Sequence, residues 1–182
     1  MRALRNEVIE LVCRWYVFAF LNFYGLGKML GMQFYRRGEL PETVAQMTLG
    51  SADGFSLAWT FMGFSNTYIL FIGSLQVIGA WLLLWHRTKL FGVLILLPIM
   101  VNIIIFDLIF LDQKGVVVNA SIYLIMLLSI LWINRKQVLY TKELLSKKRP
   151  KINLNTKTIL TIFILTGVIF AIDQLLVTLI GH

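Results

Sequence analysis

Cysteine, histidine, proline and charge are all scarce in this chain, and each scarcity removes a class of chemistry. Cys13 is the single cysteine, so no intrachain disulfide and no Cys-x-x-Cys shuttle can form. His86 and the terminal His182 stand at the ends of apolar runs. A bis-histidine haem, a His-Glu-x-x-His zinc site and a serine triad therefore have no histidine at the right depth. No metal site is expected, no phosphate loop of recognised glycine spacing occurs, and catalytic residues stay unassigned. Charged residues are 14% of the 182 positions and hydrophobic ones 58%. A water-soluble fold of this length cannot hide that much apolar surface.

What is abundant is apolar sequence in long runs. Five of them, at about 8–26, 66–85, 89–111, 115–133 and 158–180, are each long enough to cross the hydrocarbon layer. The expected fold is all-α: a single membrane domain over 1–182, a polytopic bundle with a four-helix core at 8–133 and a fifth transmembrane helix at 158–180. The third run is the clearest. Its Leu, Ile, Val and Phe residues together favour insertion by roughly 5 to 10 kcal/mol, and Asp107 opposes that by at most about 3.5 kcal/mol. The first run follows a charged start, but no small-x-small cleavage site comes after it and Arg14 interrupts it, so it reads as a retained helix.

Orientation comes from the basic residues. With the N-terminus inside, 12 of the 17 Lys and Arg fall on cytoplasmic segments, Lys89 among them. Only Lys28, Arg36, Arg37 and Lys114 fall outside, with Arg14 near the inner interface uncounted. That asymmetry predicts N-terminus inside and C-terminus outside, in a bacterial cytoplasmic (inner) membrane. It also accounts for the net charge of +8 without nucleic acid. The basic cytoplasmic linker at 134–157 suits anionic membrane lipids or a protein partner, and serves equally as a positive-inside anchor. In the outer loop at 28–65, Leu40-Pro41-Glu42 reads as a helix start. The aromatic stretch at 55–64, with Trp59, is too short to span and reads as an interfacial or re-entrant piece able to lid a site.

Polar residues inside the runs gather toward the outer half: Asn22, Lys28, Asn102, Asp107, Asn119 and Asp173, with Gln76 nearest the midplane. Polar groups facing lipid are penalised, so these seven are expected to turn toward one another and form a polar ligand pocket. Lys28 is the candidate partner for Asp107 or Asp173; the alternative is that Lys28 and Arg37 snorkel to head groups. Trp15, Tyr24, Trp59 and Tyr68 would flank a ligand or form interfacial belts. Gly73, Gln76 and Ala80 share one helix face, as close helix packing requires. Pro98 is expected to kink the third helix ahead of Asn102.

The stretch Trp59-Thr60-Phe61-Met62-Gly63-Phe64-Ser65-Asn66-Thr67-Tyr68, followed by Gly73, Gln76, Gly79 and Leu82-Leu83-Leu84, resembles the DoxX-like bacterial membrane proteins. The basic turn Arg87-Thr88-Lys89, the mid-span Asn102 and the Gly27-Lys28 pair extend that resemblance over about 10–133. Gln76 departs from the acidic residue that the family often carries in its second helix, and the fifth helix is an addition. The resemblance implies a four-helix core and, in some members, association with quinone-linked sulfur or thiol oxidation. The leading expectation is thus a DoxX-like small membrane subunit, accessory to a complex of membrane or envelope proteins, with quinone as the candidate ligand of the outer pocket. Two other readings stay open: a transporter of a small hydrophobic solute, and a purely structural subunit.

Overall fold

A computed structural model describes residues 2–111, 114–146 and 155–180. Among the described residues there are eight helices and no strand: α1 (Arg2–Met29), α2 (Glu42–Ala45), α3 (Gly54–Gly63), α4 (Asn66–Leu84), α5 (Lys89–Phe110), α6 (Lys114–Ile133), α7 (Arg135–Ser146) and α8 (Thr156–Ile180). Five of them, α1, α4, α5, α6 and α8, contain a segment long and apolar enough to cross a membrane. The contacts divide the chain into two compact units, Met1–Val138 and Leu139–His182, the division falling inside the basic linker of the sequence reading.

In the first unit, α1, α4, α5 and α6 close a ring in which α1 packs on α4, α4 on α5, α5 on α6 and α6 back on α1. Short turns explain the neighbours. Between α4 and α5 the Thr88 hydroxyl donates to the Leu82 carbonyl at 2.9 Å, and the Lys89 N–H closes on the Trp85 carbonyl. Small residues set the helix spacing. A Cβ on Gly73 would stand 3.0 Å from the Gly25 carbonyl oxygen, and one on Gly92 2.7 Å from the Gly79 carbonyl oxygen. The α1–α4 and α4–α5 crossings are therefore backbone-close, as the shared face of Gly73, Gln76 and Ala80 requires, and all three are buried. Val17, Leu21, Leu83, Val93, Leu96, Met100, Leu127 and Ile130 fill the centre. Outward, Phe91, Leu94, Leu108, Ile109, Ile125 and Trp132 are exposed, a surface that water would penalise and hydrocarbon would not.

The loop between α1 and α4 is built to sit against one end of this ring. Gly31, at φ +83°, turns the chain out of α1, and the Arg36 guanidinium folds back to donate to the Met29 carbonyl at 2.8 Å. At ten residues α3 extends only about 15 Å, half the hydrocarbon thickness, so it cannot span. Asp53 caps it, accepting from the Ser56 N–H at 2.8 Å and the Ser56 hydroxyl at 2.9 Å. Two glycines pin it: Gly54 abuts the Phe110 backbone at the end of α5, and Gly63 lies against the Tyr35 backbone, leaving no room for a Cβ at either place. Along α5 the helix continues through Pro98.

In the second unit, α8 is capped by Asn155, whose side-chain oxygen accepts from the Thr158 N–H at 2.9 Å and the Thr158 hydroxyl at 2.8 Å. Its described large apolar side chains are exposed within that unit.

Candidate functional site

Between α1, α4, α5 and α6, at the end that carries α3, the first unit holds a partly open cavity of about 80 Å³. Its polar lining is Lys28, Gln33, Gln76, Asp107 and Asn119; its apolar and aromatic lining is Leu21, Tyr24, Trp59, Met100, Ile103, Val116, Ala120 and Tyr123.

Helix direction explains how residues from different depths meet. Side chains on an α-helix tilt toward its N-terminus. Lys28 in the last turn of α1 therefore points back down the bundle, and Gln76, halfway along the antiparallel α4, leans up toward it. The Lys28 Nζ donates to Gln76 Oε1 at 2.7 Å, with Lys28 7% and Gln76 1% exposed. Lys28 does not snorkel. Asp107, near the C-terminal end of α5, leans inward for the same reason and is 6% exposed. Lys28 and Asp107 face one cavity without closing an ion pair; the ion pairs among the described residues lie at Glu10 instead.

Two acceptors in this lining, Asp107 Oδ2 and Gln33 Oε1, are buried with no hydrogen-bond donor among the described residues. Buried carboxylate and amide oxygens are ordinarily hydrogen-bonded, so a pair left open in one cavity marks a place for something that donates. Over the cavity stands Trp59 of α3, its ring stacked on Phe55 at 4.2 Å and edge-on to Phe34 at 5.5 Å. Tyr123 adds a floor, its ring 5.9 Å from Phe20 and 6.4 Å from Tyr24. Val116 and Asn119 lie at the exposed rim of this unit.

Of the seven polar residues singled out in the sequence, Lys28, Gln76, Asp107 and Asn119 come together here. Asn22 does not line the cavity; its amide donates to the Phe18 carbonyl of its own helix at 2.8 Å. Asn102 is exposed on the outer side of α5, because it lies five residues before Asp107 and 5 × 100° turns it well off that face. Asp173 lies on α8, exposed within the second unit. Of the four aromatics, Tyr24 and Trp59 line the cavity, whereas Trp15 and Tyr68 are 54% and 42% exposed. Sequence reasoning passed over Gln33 and Tyr123. Tyr123 carried a usable signal, since it follows Asn119 by four and shares its helix face.

A second polar cluster, at the opposite end of the ring, was also passed over. Glu10 Oε1 sits 2.6 Å from Lys89 Nζ and 3.5 Å from Arg14 Nη1, while Glu10 Oε2 accepts from Asn134 Nδ2 at 3.0 Å. Arg14 also donates to the Leu83 and Leu84 carbonyls at the end of α4. Lys89 is 1% exposed. It is therefore a buried tie between α1 and α5, not the free cytoplasmic loop charge that the orientation count took it for. The available signal was Glu10 and Arg14 at i, i+4 inside an apolar helix, where both need a partner.

No family model and no solved structure matches the chain. The uncharacterized protein YwoB of Bacillus subtilis (strain 168) is 36% identical to it over 123 residues, covering 66% of this chain and 75% of YwoB. With that identity over three quarters of the relative, the chain belongs to the same protein family as YwoB.

Proposed function

We propose that this protein is a small multi-pass subunit of a bacterial cytoplasmic membrane whose bundle holds the polar end of an amphipathic molecule. The observation that carries this reading is the cavity in which Lys28, Gln76 and Asp107 converge with two acceptors left open. Each buried unsatisfied acceptor destabilises the fold by about 1 to 3 kcal/mol, a cost that a donating ligand would remove.

The resemblance to DoxX-like proteins supports an accessory role beside other membrane or envelope proteins. The cavity volume bears on the ligand. About 80 Å³ is enough for several water-sized groups but is well under the roughly 150 Å³ that takes up benzene. A quinone ring exceeds that volume; a smaller head group does not. A transport path is the less favoured reading, because beyond the cavity the centre of the ring is filled by Val17, Leu83, Val93, Leu96, Leu127 and Ile130, each at most 1% exposed. The basic residues favour a cytoplasmic N-terminus, which sets the cavity toward the outer face.

Purification in mild detergent followed by mass spectrometry of co-purifying lipophilic molecules tests the reading. A bound molecule that is lost in Lys28→Ala and retained in Asn22→Ala supports it. An empty cavity in a chain that carries stoichiometric protein partners would favour a purely structural subunit.

A further inference from the structure

The cavity's charges constrain its occupant more tightly than its shape does. Among the described residues, Lys28 and Asp107 are the formally charged groups of its lining, and their charges cancel. A cation drawn to Asp107 would meet the Lys28 ammonium, and an anion drawn to Lys28 would meet the carboxylate, within a buried space where such repulsion is poorly screened. A neutral occupant escapes both. It must also donate, because Asp107 Oδ2 and Gln33 Oε1 have no donor of their own. And it must accept, because the Lys28 ammonium has three protons and spends one on Gln76. A ketone or quinone carbonyl only accepts; a hydroxyl does both.

Resting on the ligand-binding reading above, we infer that the cavity takes a neutral, hydroxyl-bearing head group of the glycerol or sugar type, held between Lys28 and Asp107. One hydroxyl donates to Asp107 Oδ2 while its oxygen accepts from Lys28; a head group with a second hydroxyl donates to Gln33 Oε1 as well. Asp107 lines the space, is 6% exposed and has a carboxylate oxygen with no hydrogen-bond partner, which distinguishes it from a surface acidic residue. The rest of the lining, Leu21, Met100, Ile103, Val116 and Ala120, is apolar and suits the carbon skeleton that carries such a head group. The head group of a neutral lipid and a free polyol share this chemistry, and the experiment separates them.

Purified full-length protein in detergent is titrated with 1,2-dioleoylglycerol, with its 3-O-acetyl ester, with free glycerol and with a short-chain quinone, following the shift in Tm. The acetyl ester keeps every acceptor and both chains but lacks the donor. Dioleoylglycerol is expected to bind at least about tenfold more tightly than the ester, the worth of one hydrogen bond to a charged group. Asp107→Asn is expected to erase that preference. Should that variant fail to fold, the alcohol–ester comparison on the unaltered chain still decides. An Asp107-dependent shift with free glycerol as large as that with the lipid identifies a soluble polyol as the source and upholds the hydroxyl class. Equal binding of alcohol and ester overturns the inference. Quinone binding without dioleoylglycerol binding overturns it too, while leaving the ligand-binding reading intact; if none of the probes shifts Tm, both fall together.

Discussion

A lysine ammonium taken out of water needs partners, and Lys28 has found one in a neutral amide instead of a carboxylate. Replacing Gln76 with leucine removes that partner and leaves the charge buried. Gln76→Leu is therefore expected to destabilise the protein by about 2 to 3 kcal/mol, read as a lower unfolding midpoint in detergent. Adding Lys28→Met to Gln76→Leu should recover most of the loss, since the charge that needed the amide is then gone. A Gln76→Leu protein as stable as the parent would mean that Lys28 swings to Asp107, and the two residues would not form the unit described here. The candidate site was legible residue by residue to the extent that depth alone predicts contact. Lys28, Asp107 and Asn119 sit at one depth and meet; Gln76 joins from nearer the midplane because a lysine side chain is long. Asn22 and Asn102 have the right depth and the wrong azimuth, and azimuth in a closed bundle depends on which neighbours each helix takes.

At the scale of elements, the end of the ring opposite the cavity is held by ionic contacts where the centre is held by packing. Glu10 on α1 ties Lys89 on α5 and Asn134, the residue joining α6 to α7, while Arg14 covers the last carbonyls of α4, so one short stretch of α1 touches all three partner helices. Glu10→Gln leaves two buried cations facing each other and is expected to lower stability by about 3 to 5 kcal/mol. The double variant Glu10→Met with Lys89→Met should restore much of that, because a packed apolar pair of similar volume often equals a buried ion pair. A loss below about 1 kcal/mol in the single variant would show that water or lipid head groups already reach the cluster. A milder device holds α3. The Ser56 N–H, and then its hydroxyl, keep the Asp53 carboxyl below the usual carboxylate range. A carboxyl whose folded value is depressed adds stability above its unfolded value of about 4, and that stability is lost as pH falls through the lower folded value. Acidification from pH 5 toward pH 3 is accordingly expected to loosen α3 and change the fluorescence of Trp59, and Asp53→Ala should show the loosened signal at every pH. Pattern in the sequence marked these stretches: the aromatic piece expected at 55–64 as interfacial or re-entrant is a helix at Gly54–Gly63, and Pro41, expected in the first turn of a helix, stands directly before α2. The tie through Lys89 was not visible, because a basic residue beside a turn has the same local sequence whether it faces water or a buried glutamate.

For the molecule as a whole, composition and run length settle that helices dominate and that five of them can cross a membrane, since the number of apolar runs is insensitive to how the helices pack. Orientation is a separate matter and rests on where basic residues lie. With Lys89 withdrawn into the ring, 11 basic residues still stand on the proposed cytoplasmic segments against Lys28, Arg36, Arg37 and Lys114 on the other side. Of those four, Lys28 is in the cavity and Arg36 folds onto α1. Cys13 is the single cysteine and is buried, which makes the chain convenient for mapping once Cys13→Ser is in place. Glu39→Cys, in the exposed loop before α2, is expected to react with a membrane-impermeant maleimide on intact cells. Arg87→Cys, in the exposed turn between α4 and α5, should react only after the membrane is opened. Five crossings would put the two ends of the chain on opposite faces, so with the N-terminus inside a tag after α8 is expected to be digested by external protease in the same intact cells. The reverse labelling pattern would turn the cavity to the cytosol and redirect the search for its ligand to the inner leaflet. A protected tag together with the expected loop labelling would remove α8 from the membrane and leave the four-helix ring as the whole of the spanning structure.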